Sequence, residues 1–492
     1  MPLPIRPAVA ASPDYPFSPV TAPIKLDQNE SFADFPAELK DIALERLRHL
    51  PWHRYTDLNA EALSDALARH EGWSPAGTVV TTGSNVLIAL LIQLSAIGGR
   101  VVTVKPNFAL YGLDAMLLGA ALTEVPLRPD QSFDPDALIA VLGDAQGPES
   151  QGVIYIPRPH APTGSLCELD ELERLATACR GWLLVIDEAY HHFTPEDARE
   201  LARRHPHVVL LRTFSKAWGL AGLRLGYALA SDGVAQQLRK LVPPFGVSVL
   251  QTVCAQVALE QPGYVKERVA QTLHERERLF KALQHHPSWQ PLPSHANFLL
   301  VRTPDAAQAH AQLLAHGVLV RRQDRLHGLQ GCFRVTVGTP EENDAFLEAA
   351  GLAKTRRLSG IGTASEPRMA IPGIDAALAM AHAGNSLDLF EKLLGMMLKN
   401  YASWSATSRH LAREPGATAH AELCSSLHKL RGSASILGAT RLAEVAAQAE
   451  NALRDTREPP LAAVERVAST LDELLGHVRH RLEIAARHVP RE

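Results

Sequence analysis

A chain of 492 residues exceeds what one hydrophobic core organises, so two or three domains are expected. Its 46% hydrophobic and 21% charged residues are ordinary for globular protein, and a formal net charge of -4 gives no electrostatic reason for nucleic acid or an anionic membrane surface as a partner. The five cysteines (Cys167, Cys179, Cys254, Cys332, Cys424) are scattered, odd in number and without metal-ligand spacing, which favours reduced thiols in a cytoplasmic compartment and no metal site.

In chain order, the Pro-rich stretch from Met1 to Phe17 has no apolar core flanked by basic residues, and no secretory signal is expected there. The most apolar stretch, Val86 to Ile97, is too short to span a bilayer and predicts a buried helix. Gly83-Ser84-Asn85 precedes it, so free N–H groups at the helix start would form an anion cradle. The runs Val101–Val104, Val153–Ile156, Trp182–Ile186 and Val208–Leu211 are β-branched or aliphatic and bounded by polar residues. Such runs predict strands buried on both faces. Helical spacing between them, as in Leu169–Cys179, makes the region up to about Leu352 an α/β fold. The segment 354–372, rich in Gly, Ser, Pro and Arg, predicts a linker. Beyond it, 373–492 reads as a small all-helical domain, plausible as a bundle.

Two strand ends carry chemistry. Val185-Ile186-Asp187-Glu188-Ala189-Tyr190 ends an apolar strand in an acid, costly to bury unless paired. After the strand Val208–Leu211, Ser215-Lys216 opens a Gly-rich loop, with Arg224 eight residues after the lysine. Ligands of open α/β sheets bind at such strand ends. A pyridine-ring cofactor accounts for the whole set. Its protonated nitrogen would pair with Asp187, its aldehyde condense with Lys216, and its phosphate sit on Ser215, Arg224 and the 83–85 helix start.

Together with Lys25–Glu30, Arg54–Asp57, Pro162-Thr163-Gly164 and Phe333–Glu342, these motifs resemble the fold-type I pyridoxal-phosphate aminotransferases, and most closely the histidinol-phosphate aminotransferase family, across residues 1–353. The resemblance implies a mostly parallel large domain plus a small α+β domain, and pyridoxal 5'-phosphate as cofactor. It implies that Lys216 holds the cofactor and then carries the substrate proton. Asp187 keeps the ring nitrogen protonated, Tyr190 bonds the ring hydroxyl, and Phe108 stacks on the ring. Tyr55 would reach the cofactor phosphate of a second subunit in a homodimer. Arg321 and Arg334 would bind the substrate's anionic end, the strand holding Ala296-Asn297-Phe298 would help to place them, and Arg322 stands beside Arg321 as a rival. The family carries Asn immediately before Pro-Thr-Gly, whereas this chain has Ala161. Losing a hydrogen bond to a charged group costs on the order of 1.5–3 kcal/mol. The expectation is a site that binds cofactor but reacts more slowly or on a different amino donor, with His160 as the candidate replacement donor. Ser31 stands where some relatives carry an aromatic.

In the C-terminal region Leu423, Leu427, Leu430, Ala434 and Leu437 form one apolar helix face, and His428 falls off it, near Cys424, Ser425, Arg431, Gly432 and Ser435. The stretch His428–Ala434, followed by Leu437-Gly438-Ala439, resembles the histidine phosphotransfer domain. That resemblance implies a four-helix-bundle core in which His428 exchanges a phosphoryl group with the aspartate of a response-regulator receiver domain. Arg431 would supply the positive charge. The expected activity is amino transfer between histidinol phosphate, or a related amine, and a 2-oxo acid, as in histidine biosynthesis, joined to two-component signalling. A decarboxylase of the threonine-phosphate type and a catalytically weak cofactor-binding scaffold are the alternatives.

Overall fold

Continuous aliphatic runs become strands buried on both faces when helices cover each side of a sheet. The computed structural model describes residues 4–13, 20–143, 151–352, 371–375, 379, 387–414, 416–454 and 459–487. The chain divides into two compact units, Met1–Thr355 and Arg356–Glu492. No helix among the described residues is long and apolar enough to cross a membrane.

The first unit contains twelve described strands: β1 (Ile24–Leu26), β2 (Thr78–Thr81), β3 (Arg100–Lys105), β4 (Ala121–Pro126), β5 (Gly152–Pro157), β6 (Leu183–Asp187), β7 (Val208–Thr213), β8 (Gly226–Leu229), β9 (Gln290–Pro291), β10 (Phe298–Arg302), β11 (Val318–Arg322) and β12 (Cys332–Thr336). The large sheet has the order β2-β8-β7-β6-β5-β3-β4. Only β8 runs antiparallel to its neighbours. Side chains alternate across the pleat, so Ile154, Ile156, Leu184, Ile186 and Leu210 enter one core while Val153, Tyr155, Val185, Val209 and Leu211 enter the core on the opposite face. The apolar run expected from Val86 to Ile97 is the helix Ser84–Ser95, with Leu87, Ile88, Leu90, Leu91 and Ile92 buried. A smaller sheet, β1-β11-β12-β10-β9, encloses its own core around Leu299, Val320, Phe333 and Phe346. A capping box, Thr339 with Glu342, starts the helix Pro340–Ala349 that packs there.

Behind the carboxyl ends of β6 and β7 lies a buried charge network. Arg212 pairs with Glu188 at 2.6 Å and with Asp197 at 3.1 Å, and also with Glu71. Tyr227 adds an O–H bond to Glu71. Burial pulls the Arg212 pKa down, but Glu188 and Glu71 raise it further than burial lowers it. The guanidinium is therefore a fixed cation that joins the helix Glu61–Glu71 to two adjacent strands.

The second unit has five described helices, Leu387–Tyr401, Trp404–Leu411, Ala417–Ile436, Thr440–Arg454 and Pro460–Arg487. They close on one core that includes Phe390, Leu394, Leu423, Leu427, Leu430, Ala446 and Leu471. Of the stretch expected to be a linker, 354–370 lies outside the described residues. Ile371 does not behave as linker: it is 3% exposed in the helical core. A buried isoleucine anchors the chain there, and Asp375 N–H then bonds the Gly438 carbonyl at 2.9 Å.

Arg212→Ala leaves three carboxylates facing one another. It is expected to destabilise the first unit by about 3–5 kcal/mol near neutral pH, read from the denaturant midpoint. Without the cation the native carboxylate pKa values rise above their unfolded values. The penalty is therefore full above the raised native pKa values, shrinks as the pH falls through them and is gone below the unfolded carboxylate pKa. A deficit that stays constant down to pH 4 would contradict this account.

Candidate active site

The parallel strands bring the predicted residues to one edge. β6 ends at Asp187, which pairs in register with Pro157 of β5 and Leu211 of β7, so the loops after all three strands emerge together. Asp187 accepts a hydrogen bond from the Tyr111 hydroxyl at 2.7 Å and from Ala189 N–H at 3.1 Å. Burial raises its carboxyl pKa, and these two donors only partly oppose the rise. Tyr111 is itself fixed by stacking on Tyr155, with centroids 4.8 Å apart and planes 8° apart. Phe108 caps the start of the helix Ala109–Leu118 and meets Tyr111 edge-on at 5.9 Å.

On the neighbouring side, the helix Ser84–Ser95 starts without a side-chain cap, so its first N–H groups, from Ser84 and Asn85 onward, are left for a ligand. Gly83, at φ 95°, lies where an added Cβ would come within 3.1 Å of the Arg224 guanidinium. Gly226 is tighter still, since its Cβ would lie 2.1 Å from Ser84 N. Only glycine lets β8 approach the helix start this closely. Arg224, in the left-handed conformation at φ 52°, reaches the Ser215 hydroxyl at 3.3 Å. The helix start at Gly83 and Ser84, the Ser215 hydroxyl and the Arg224 guanidinium are thus brought together.

Lys216 donates from Nζ to the Gln28 carbonyl at 3.0 Å and lies 5.6 Å from the Tyr190 ring centroid. Arg334 Nη2 donates to the preceding carbonyl, that of Asp27, at 2.8 Å. The lysine amine and this guanidinium therefore sit on consecutive peptides. Arg321 and Arg334 are direct partners in the β11–β12 ladder. Like charges directly opposite each other repel, so the arrangement favours an anion near both. Arg322, the rival, is engaged by Asp324 at 2.6 Å. Tyr55 is 85% exposed and rests on Phe245, with centroids 4.9 Å apart.

One expectation is corrected. His160 does not stand in for the missing amide at position 161: its Nδ1 meets the Thr163 hydroxyl at 2.6 Å and its Nε2 the Pro106 carbonyl at 2.9 Å. Burial lowers its pKa to about 4, so it braces the turn as a neutral ring. Asn297 leads into β10, which pairs with β12 and sets Leu300 opposite Arg334, so the strand expected to help place the arginines does so. Asn297 Nδ2 donates to the carbonyls of Asn29 and Glu30, at 3.1 and 3.2 Å, because the segment 27–30 passes between it and the lysine loop.

In the helical unit, His428 is 59% exposed on the helix Ala417–Ile436 while Leu423, Leu427 and Leu430 are buried beneath it. Its Nδ1 lies 3.2 Å from Glu450 Oε1, a carboxylate only 3% exposed on the following helix. Arg431 reaches the same carboxylate at 3.2 Å. Arg431 Nη2 also lies 3.4 Å from Nδ1, so that nitrogen faces both the carboxylate and the guanidinium. A Cβ at Gly432 would meet nothing within 4 Å, so no packing contact dictates that glycine, and the surface one turn from the histidine is clear.

The family model for aminotransferase class I and II matches residues 21–349, and the Hpt domain model matches 387–481. The chain belongs to the class I and II aminotransferases and carries an Hpt domain. It is 48% identical over 347 residues to a histidinol-phosphate aminotransferase of Deinococcus radiodurans, covering 70% of this chain and 95% of that one. A second, from Thermococcus kodakarensis, is 38% identical over 327 residues, 66% of this chain and 91% of that one. The structure of histidinol-phosphate aminotransferase from Sinorhizobium meliloti in complex with pyridoxal-5'-phosphate superposes with a TM-score of 0.63 at 28% identity, over 71% of this chain and 96% of that chain.

Pyridoxal phosphate is the cofactor of this aminotransferase, and the residues present fit it. Asp187 is a buried carboxylate with raised pKa that a cationic ring nitrogen would satisfy. The glycines at 83 and 226 keep side chains out of the uncapped helix start beside Arg224. Three residues of the aminotransferase and its Hpt domain escaped the sequence reading. Tyr111 lies one helical turn past Phe108, a signal that was available. Asn29 stood in a quoted motif without a role. Glu450, on the next helix, gave no local signal.

Proposed function

We propose that the chain transfers the amino group of histidinol phosphate, or a closely related amine, to a 2-oxo acid, and that His428 exchanges phosphoryl groups with a receiver domain. The first part is carried by one observation: Arg321 and Arg334 face each other in register while Arg334 and Lys216 hold consecutive carbonyls. Two guanidinium forks beside the amine suit a substrate with a phosphate at one end and an amine at the other.

The bound cofactor supplies an aldehyde for the amine and a cationic ring that draws electrons from the amine-bearing carbon. Lys216 would hold the cofactor, and its amine would carry the proton of the substrate's amine-bearing carbon. Asp187, kept in place by Tyr111, holds the ring nitrogen protonated. Tyr190 bonds the ring hydroxyl and Phe108 covers the ring face. Ser215, Arg224 and the N–H groups of residues 84–85 bind the cofactor phosphate. Tyr55 serves a second copy of this chain. Its exposed ring lies in a patch with Trp52, Leu58, Phe245 and Leu250, each at least 42% exposed, and a homodimer would cover that patch.

In the second part, Nε2 of His428 attacks the phosphorus of a receiver aspartyl phosphate, the aspartate leaves as carboxylate, and Arg431 balances the phosphoryl charge. Glu450 steadies the Nδ1 hydrogen and the imidazolium charge. The two family matches, 21–349 and 387–481, fit separately folding domains, the second reaching back to Ile371 in the helical core.

Histidinol phosphate added to the loaded full chain is expected to bleach the cofactor's absorption band, and Lys216→Ala to abolish that response. Arg321→Ala and Arg334→Ala are each expected to lower kcat/KM by roughly 10- to 100-fold, the range for a lost charge-assisted hydrogen bond. Unchanged values in both variants would remove histidinol phosphate as substrate. Carbon dioxide release from threonine phosphate would replace the reading with a decarboxylase.

Incubation with phosphorylated receiver domains is expected to label His428, with no label in His428→Gln. Glu450→Gln retains an acceptor for Nδ1–H but loses the charge, and transfer is expected to slow roughly tenfold, about 1.4 kcal/mol. Label persisting in His428→Gln would sink this assignment.

A further inference from the structure

Position 161 carries no amide, and His160 is engaged elsewhere, so among the residues described around the turn after β5 none replaces the lost donor. The compensation lies on a different element. Asn29 is 1% exposed and sits in the left-handed region at φ 53°, a conformation asparagine tolerates better than most residues. Its N–H donates to Thr336 Oγ1 at 2.9 Å, and the Thr336 hydroxyl donates back to Asn29 Oδ1 at 3.3 Å. Its carbonyl accepts from Asn297 Nδ2 at 3.1 Å. These bonds fix which end of the amide faces which way: Oδ1 is held by Thr336, so Nδ2 points at the Tyr190 hydroxyl oxygen and donates to it at 2.9 Å.

A phenol whose oxygen already accepts a hydrogen bond has its own hydrogen directed elsewhere and is a stronger donor. We propose that Asn29 is a positioning residue that commits the Tyr190 hydroxyl to donating towards the cofactor's ring oxygen, and so offsets the absence of an amide at position 161. The proposal rests on the reading of Tyr190 as the ring-oxygen donor. It makes a residue of the N-terminal segment, pinned by the small sheet at Thr336, part of the electronic tuning of the cofactor. The effect has a sign. A donor to the ionised ring oxygen lowers the pKa of the nitrogen linking cofactor to Lys216, and weakening that donor raises it.

The test is a pH titration of the cofactor's absorption band in the loaded full chain, without substrate. Asn29→Gly suits the left-handed backbone and removes only the amide. Its band pKa is expected to rise by about 0.5–1 unit, the equivalent of one ordinary hydrogen bond. Thr336→Val releases the amide's orientation and is expected to give a smaller rise in the same direction. Tyr190→Phe should raise the pKa at least as far as Asn29→Gly, and the double variant Asn29→Gly/Tyr190→Phe should go no further than Tyr190→Phe alone, because the amide acts through the phenol. A rise in Tyr190→Phe with none in Asn29→Gly, or shifts that simply add, would overturn the role of Asn29. No rise in Tyr190→Phe itself would instead overturn the reading of Tyr190 on which the proposal stands.

Discussion

A carboxylate at the end of a strand buried on both faces is the constraint on which the first unit turns. Asp187 follows Val185 and Ile186, which are fully buried, and burial pushes its pKa upward. An isolated ionised carboxylate in such a place is too costly to keep, so the surroundings must either protonate it or present a positive charge. Among the described residues the Tyr111 hydroxyl and the Ala189 N–H donate to it, and the charge of Lys216 also opposes the rise. A cationic ring nitrogen would supply the charge still missing. The next residue, Glu188, has the opposite arrangement, with Arg212 supplying its counter-charge from within the fold. Two adjacent acids at the end of β6 thus divide the work: Asp187, its last residue, lies at the ligand edge, and Glu188, the next, joins an internal ion network.

The features legible in the sequence were those set by local periodicity or by a motif of contiguous residues. Fully apolar runs between polar boundaries identified β3, β5, β6 and β7, because strands buried on both faces have no polar alternation to disguise them. Asp187, Lys216 and Arg224 were legible because three strand ends in a parallel sheet necessarily emerge on one edge. His428 was legible because it breaks an otherwise regular apolar spacing. The residues that complete each site were not. Tyr111 touches Asp187 across 76 positions and Asn29 touches Tyr190 across 161, distances over which no local pattern carries information. His160 was misread for a related reason. Its partners, Pro106 and Thr163, use both ring nitrogens, and only one of them is near it in sequence.

The two sites also use charge in contrasting ways. In the aminotransferase site the carboxylate is buried with neutral donors and waits for a cationic ligand. In the helical unit Glu450 is more deeply buried, and it is matched from within by His428 and Arg431. There the buried anion holds one side of an exposed imidazole. A deep acid beneath a surface histidine lets the histidine remain accessible to a docking protein without losing its orientation.

The segment 27–30 shows why the small sheet belongs to the chemistry. It carries no helix and only the end of the register set by β1, yet its consecutive peptides are held by Arg334, Lys216 and Asn297, and its Asn29 side chain by Thr336. Arg334 and Thr336 are alternate residues of β12, so they point to the same face of that strand. Any shift of β12 caused by an anion between Arg321 and Arg334 would move Thr336 with it, and through Asn29 the hydroxyl of Tyr190. The arginine pair and the Tyr190 hydroxyl are therefore joined through one short strand and the Asn29 side chain.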